Sequence, residues 1–276
     1  MRIGNKEFDI KNNVYVMGIL NVTPDSFSDG GKFNNFDRAM EQVEKMISEG
    51  ADIIDVGGES TRPGHIQISE NEEIERIVPI IKAIKERFDV IVSIDTYKAN
   101  VALEAFKAGA DLLNDIWGLL YEDNFVDGKN TLAQYAKEYG VAVCLMHNDT
   151  KQMEENNMDI VNDRLQKSVD EALKYGIEKD KIMLDPGIGF AKSYENNLYV
   201  MKHMEEINKL GYPILLGTSR KSMIGFATGE EVDNRVEGTV ATTVIGVEKG
   251  AAFVRVHDVK ENLQAIKMTN AIMDLK

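Results

Sequence analysis

Short β-branched runs recur along the chain with helical patterns between them. They are VYVMGIL from Val14, ADIIDVG from Ala51, VIVSID from Val90, DLLNDI from Asp111, VAVCLM from Val141, KIMLD from Lys181, PILLG from Pro213 and AAFVRV from Ala251. Near-continuous apolar runs of this length are the pattern of strands buried on both faces. Amphipathic helices begin near Phe36, Lys98, Thr131, Asp159, Ser193, Arg235 and Lys260. The clearest stripe carries Ile74, Ile77, Val78, Ile81, Ile84 and Phe88, with Ser69 and Glu72 spaced as a capping box. Strands alternating with helices imply a parallel sheet covered by helices, and eight such units in roughly 250 residues match an α/β fold of the closed (β/α)8 TIM barrel type. An open doubly wound sheet is the alternative that this pattern leaves.

Ahead of the first strand, MRIGNKEFDIKNN alternates weakly around turn residues and predicts a short N-terminal β-hairpin closing the barrel bottom. Residues 121–130 and 148–158 are polar enough to read as surface loops. No linker or low-complexity tract interrupts the pattern, so a single domain over residues 1–276 is expected.

In a barrel the site lies where strands end and helices begin, so the polar residues that terminate each run carry the functional information. Strand one ends in Asn21 before VTPDSFSDGG, strand two in GGESTRPG, strand three in Asp95, and strand four in Asn114 and Asp115. Strand five ends in His147, strand six in Asp185 before PGIGF, strand seven in GTSRKS, and strand eight in Arg255, His257 and Asp258. One such residue alone would be read as a helix cap or turn former. Eight strand ends with hydrogen-bonding groups on one rim predict a site. Asp95, Asn114 and Asp185 offer the acceptors and donors that recognise the edge of a flat heterocycle. Arg220, Lys221, Arg255 and His257 gather on the last two strands, the usual anion corner of such barrels, with a salt bridge as the alternative reading of Arg220.

Composition narrows the chemistry. With 46 acidic against 32 basic residues, the net charge of -14 repels nucleic acid and acidic membrane surfaces, so an anionic substrate needs a local basic pocket. No apolar run reaches the roughly 18 residues of a membrane span, and the start lacks a signal-peptide core, so a cytoplasmic protein is expected. The single cysteine, Cys144, excludes an internal disulfide and reads as a buried inert thiol. His65, His147, His203 and His257 are scattered without zinc-site spacing, and G-x-S-x-G is absent. The glycine-rich loops after strands one and two do not fit a phosphate loop: Ser26 and Phe33 stand where a Walker pattern on Gly31 and Lys32 needs glycine and a hydroxyl. Their Gly, Pro, Asp, Ser, Thr and Arg content reads instead as lids over a substrate. Asn21 beside an anion pocket is a candidate partner for a hard cation such as Mg2+.

Taken together, MGILNVTPDSFSDGG from Met17, GADIIDVGGESTRPG from Gly50, SIDT at Ser93, NDIWG at Asn114, LDPGIGF at Leu184, SRKSMIG at Ser219 and RVHDV at Arg255 resemble the dihydropteroate synthase family, from about Val14 to the end. The resemblance implies a (β/α)8 barrel that condenses dihydropterin pyrophosphate with p-aminobenzoate, using Mg2+, and that is typically a homodimer and a sulfonamide target. By motif position it places Asp95, Asn114, Ile116, Met146, Asp185, Gly217 and Lys221 around the pterin, which moves Lys221 from the anion corner to the ring. It places Asn21, Thr61, Arg62, Arg255 and His257 around the pyrophosphate, with Asn21 on the metal. Phe27, Pro63, Phe190, Lys221 and Ser222 would form the p-aminobenzoate slot, and Asp29, Arg62 and Lys221 would act on the reacting groups. The chain departs from the family at NDTKQM after His147, and at Ala191 and Ser193, where glycine and threonine are more usual. A folate-to-corrinoid methyltransferase would share Asp95, Asn114 and Asp185 but not need the two lid motifs or RVHDV. A silent pterin-binding paralogue would not need the full set of polar residues.

Overall fold

The computed structural model describes residues 1–23, 32–60 and 66–274. Eight parallel strands close into a barrel: β3 (Tyr15–Asn21), β4 (Ile53–Gly57), β5 (Ile91–Asp95), β6 (Leu112–Asp115), β9 (Ala142–Met146), β10 (Ile182–Asp185), β11 (Ile214–Leu216) and β12 (Ala251–Val256), which returns to pair with β3. Every predicted run supplies one of these strands. Helices follow them on the outside: α1 (Lys32–Glu49), α2 (Glu70–Arg87), α3 (Ala99–Lys107), α4 (Thr131–Tyr139), α5 (Met158–Lys174), α6 (Tyr194–Lys202), α7 (Ser222–Thr228), α8 (Val236–Glu248) and α9 (Val259–Met273). The open-sheet alternative falls with the closure of β12 on β3.

The period of two along each strand divides the core into two layers. Val16, Ile54, Val56, Val92, Ile94, Leu113, Val143, Leu145 and Leu184 face the helices in the larger cluster. Met17, Ile53, Ile91, Leu112, Ala142, Met183, Leu215 and Phe253 face inward and fill the barrel. Ile3 and Phe8 join that inner cluster from the N-terminal hairpin, β1 (Arg2–Ile3) and β2 (Lys6–Glu7), so the predicted plug at the barrel bottom is present. Its turn needs glycine, since Gly4 has φ +54 and a Cβ there would lie 2.6 Å from Asp111 Oδ1.

Two elements depart from the sequence reading. Residues 121–130 are not an irregular loop: a 3₁₀ turn at Glu122–Asn124 leads into a small hairpin of β7 (Phe125–Val126) and β8 (Lys129–Asn130). Buried Asn124 and Asn130 hold it to the barrel, Asn124 through the Tyr97 carbonyl at 2.7 Å and Asn130 through the Leu119 carbonyl at 2.6 Å. The short α7 was not anticipated, because its two buried residues, Met223 and Ile224, are too few to show a periodic stripe. The capping box on α2 is half formed. Ser69 accepts from Glu72 N at 3.2 Å, but the Glu72 carboxylate turns outward to pair with Arg76. No helix among the described residues is long and apolar enough to cross a membrane.

Candidate active site

Beyond the inner apolar layer, the same alternation points Asp55, Ser93, Asn114, Asp185, Gly217 and Arg255 into the barrel mouth, with Asp95 one step further out on β5. Arg255 is its centre. Its Nε donates to Asp55 Oδ2 at 2.6 Å and its Nη2 to Asp95 Oδ2 at 2.5 Å. Asn114 Nδ2 donates to the same Asp55 oxygen at 3.1 Å. The second oxygens of both carboxylates, Asp55 Oδ1 and Asp95 Oδ1, are buried without a hydrogen-bond partner among the described residues, as is Ser93 Oγ. Buried acceptors of this kind are met by ligand or water donors. Burial lifts the Asp95 carboxyl to about 7, with Arg255 pulling it down and Asp55 adding to the rise. Arg255 is itself held charged: burial opposes the charge, and Asp55 and Asp95 more than restore it.

Asp185 ends β10 and points its Oδ1 at the Gly187 N–H, 2.6 Å away, while burial raises its carboxyl against the pull of Lys221. Lys221, the N-cap residue of α7, donates to the Ile188 carbonyl and lies over the Phe190 ring, 4.8 Å from its centroid. Burial pushes its amine down to about 8, with Asp185 opposing. Gly217 leaves the floor between Asp185 and Arg255 open: a Cβ there would come within 3.6 Å of Asp185 Oδ2. Ile116 and Met146 form an apolar wall with Tyr97, and Trp117, Tyr121 and Phe190 pack against it. The layer thus presents carboxylates, an amide and a lysine at the edge of a flat slot with an apolar side.

At the rim, Ser219 Oγ holds His257 by its Nδ1 at 2.9 Å and accepts from His257 N at 3.1 Å. Asn21 ends β3, and glycine at 57 keeps the space between it and Asp95 clear: a Cβ there would lie 3.7 Å from Asn21 Oδ1 and 3.8 Å from Asp95 Oδ2. Ser222 opens α7 and is exposed. Asp29, Phe27, Thr61, Arg62 and Pro63, with the middle of each predicted lid, lie outside the described residues.

Several expectations change. Arg220 is not part of the anion corner; its guanidinium makes a two-bond pair with Asp258, at 2.7 and 3.1 Å, and approaches Asp233. Lys221 faces the floor instead of the rim. Asp115 turns away from the barrel interior to accept from Trp117 N and Leu119 N, which makes it a turn former, and burial raises it to about 6. Cys144 is fully buried and burial raises its thiol, as an inert core residue requires. Two residues escaped the sequence reading. Asp55 carried a signal, a charge inside an apolar strand two positions before its end. Lys192 carried none; it sits in a loop and reaches His147 Nδ1 at 2.7 Å.

The chain and its fold are similar to those of known proteins. A family model described as pterin binding enzyme matches residues 17–257. A dihydropteroate synthase of Clostridium beijerinckii is 58% identical over 275 residues, covering 99% of each chain. A crystal structure of dihydropteroate synthase from Clostridium difficile in the presence of pteroic acid is 49% identical, covers 96% of this chain and 99% of its own, and superposes with a TM-score of 0.91. The Xanthomonas albilineans enzyme with 4-aminobenzoic acid is 35% identical over 96% of this chain and 95% of its own, with a TM-score of 0.90.

Proposed function

The chain belongs to the pterin-binding enzymes, and within them to the dihydropteroate synthases, and from that membership we propose how its site joins dihydropterin pyrophosphate to p-aminobenzoate. The observation that carries this reading is the polar layer itself. Asp95, Asn114 and Asp185 offer a pterin edge a set of buried acceptors and donors, with Lys221 beside them, Gly217 leaving room and Ile116 and Met146 on the apolar side. Arg255 at the centre of the layer, with His257 and Asn21 on the rim above it, would hold the pyrophosphate. Thr61 and Arg62 join them by motif position. Phe190, Lys221 and Ser222, with Phe27 and Pro63 by motif position, form the p-aminobenzoate slot.

Among the described residues no three His, Cys, Asp or Glu side chains gather to hold a metal. Asn21 nevertheless suits Mg2+, because a hard cation that shares diphosphate oxygens and waters needs few protein ligands, and the cleared space at Gly57 lies between Asn21 and Asp95. When bound there, Mg2+ supplies charge neutralisation for the departing pyrophosphate.

The reaction is a dissociative substitution. The bond between the pterin methylene and the diphosphate oxygen breaks, and Arg255 and His257 stabilise the negative charge that leaves. The cation left on the pterin is delocalised into the ring, whose edge faces Asp95 and Asp185; Asp29 is assigned beside the methylene by motif position. The neutral arylamine attacks the methylene, and the acidic ammonium nitrogen formed with the new C–N bond gives its proton to the released pyrophosphate or to water, so no strong base is required. Catalysis is electrostatic preorganisation around a charge that forms and disappears. Leu198 of α6, Phe226 of α7 and Ile245 of α8, all exposed on helices that pack together, support a homodimer.

The test is a mass-spectrometric assay of the purified chain with dihydropterin pyrophosphate, p-aminobenzoate and Mg2+ beside a chelated control. Metal-dependent dihydropteroate is the expected product. A protein that binds pterin and forms none overturns the reading.

A further inference from the structure

The connection from Asp185 to Ser193 has no regular structure, yet it carries two groups that set the slot: the Ile188 carbonyl, which accepts from Lys221, and the Phe190 ring beneath the same lysine. Its backbone is held in unusual conformations. Gly187 has φ +67, and a Cβ there would collide with the His147 carbonyl. Ala191 has φ +48, a left-handed conformation that is strained for a residue with a Cβ. Such a conformation persists only where surrounding contacts over-determine it. The contacts converge on Lys192. Its Nζ lies 2.7 Å from His147 Nδ1 and donates to the carbonyls of Gly187 at 2.9 Å and Phe190 at 3.1 Å, while Met153 N donates to the Ala191 carbonyl at 2.9 Å.

We infer that Lys192 is a positioning residue: its terminal nitrogen ties the 186–192 connection to the end of β9 and so sets Phe190 and the Ile188 carbonyl against Lys221, giving the arylamine slot its shape. This rests on the proposed reading of that slot. Three acceptors match the three N–H bonds of an ammonium. They also match a neutral amine, which donates to the two carbonyls and accepts from a His147 Nδ1–H. Burial draws the Lys192 amine down to about 7 and the His147 ring to about 3, so the tie holds in either lysine state while the histidine stays neutral. Among the described residues no carboxylate is hydrogen-bonded to Lys192 Nζ, and the nitrogen is spent on loop carbonyls and a ring, so it acts through Phe190 and Lys221 instead of touching substrate.

Lys192→Met removes the tie at nearly constant volume. The expected result is a KM for p-aminobenzoate raised by about tenfold or more, the scale on which small misplacements are felt, with dihydropterin pyrophosphate affinity changed by less than about threefold. Hydrogen exchange of the Gly187–Phe190 amides should accelerate in parallel. The double variant Ala191→Gly, Lys192→Met should recover part of both, because glycine holds φ +48 without strain. Should Lys192→Met not fold, Lys192→Gln keeps part of the tie and must show a smaller split of the same sign. Unchanged KM and exchange overturn the inference. So does a parallel loss of both substrates' binding with lowered thermal stability, which marks a merely structural lysine. If the exchange behaves as expected but the wild-type chain makes no dihydropteroate, the tie stands and the functional reading falls.

Discussion

Asp55 and Arg255, 200 positions apart in sequence, meet across β3 with Oδ2 and Nε at 2.6 Å. Asp55 is wholly buried, and the oxygen that meets Arg255 also takes the Asn114 amide. One carboxylate oxygen therefore orients the central cation and the Asn114 amide together. Removing one partner of a buried pair costs about 3–5 kcal/mol. Asp55→Ala should lose stability on that scale in urea unfolding. Asp55→Asn keeps an acceptor and should stay folded, but weaken pterin binding by roughly tenfold, since a neutral partner holds Arg255 less tightly. Unchanged affinity in calorimetry would show that Asp95 alone orients the guanidinium.

Gly217 separates fold from function. An added methyl would meet Asp185 Oδ2 at 3.6 Å and Arg255 Cβ at 3.9 Å, ordinary contacts that the folded chain accepts. Although Gly217 is buried, the room around it means Gly217→Ala should change stability by no more than about 1 kcal/mol, the scale set by the lost freedom of the unfolded chain. The methyl would nevertheless stand on the floor where the pterin lies, and a misplaced methylene in a tight pocket costs roughly 10–200-fold. A pterin affinity equal to wild type would move the ring off this floor.

Strand positions make most of the candidate site's inward-facing groups legible in the sequence. Asp95, Asn114 and Asp185 terminate apolar runs, and the strand period then settles which way each points. Asn114 and Asp115 show the limit: adjacent residues at one strand end, of which only the first faces inward. Terminal position marks a candidate, and the register decides it. Asp55 was legible by the same period and overlooked because it lies inside the strand instead of at its end. Arg220 misled because charge at the right strand is not access to the site; Asp258 lies nearer and takes it. Lys192 is placed by its side-chain contact to His147, 45 positions away, and the hairpin β7/β8 by the Asn124 bond to the Tyr97 carbonyl, 27 positions away; neither leaves a period in the sequence.

His147 makes the fold sensitive to acid. Burial, with Lys192 beside it, pushes its ring down to about 3 from 6.5. A base buried neutral binds its proton in the unfolded chain first. Its contribution is therefore complete above about pH 6.5 and is lost as pH falls toward 3, at no more than about 1.4 kcal/mol per pH unit. His147→Gln cannot titrate and retains an oxygen that Lys192 Nζ could donate to. Chemical unfolding at pH 7 and pH 5 should show a smaller difference in the variant than in the wild type. Equal differences would place the acid sensitivity elsewhere.

The outer face of α8 argues for a second copy of the chain. Its sequence, VEGTVATTVIGVE, is apolar or small nearly all round, yet only Thr239, Thr243, Gly246 and Val247 are buried. A helix of that composition ordinarily has cover on more than one side. Beside it Phe226 is 72% exposed, with Leu198 and Ile245 each at 42%, across three helices that touch one another. Self-association buries all three at once, since a two-fold interface uses the same patch on both copies. Sedimentation should give twice the 30.9 kDa chain mass. Phe226→Asp puts a charge at the centre of the patch and leaves the barrel interior untouched, so it should sediment as a monomer that keeps its pterin affinity. A wild-type monomer, or a Phe226→Asp dimer, would move the interface off this face.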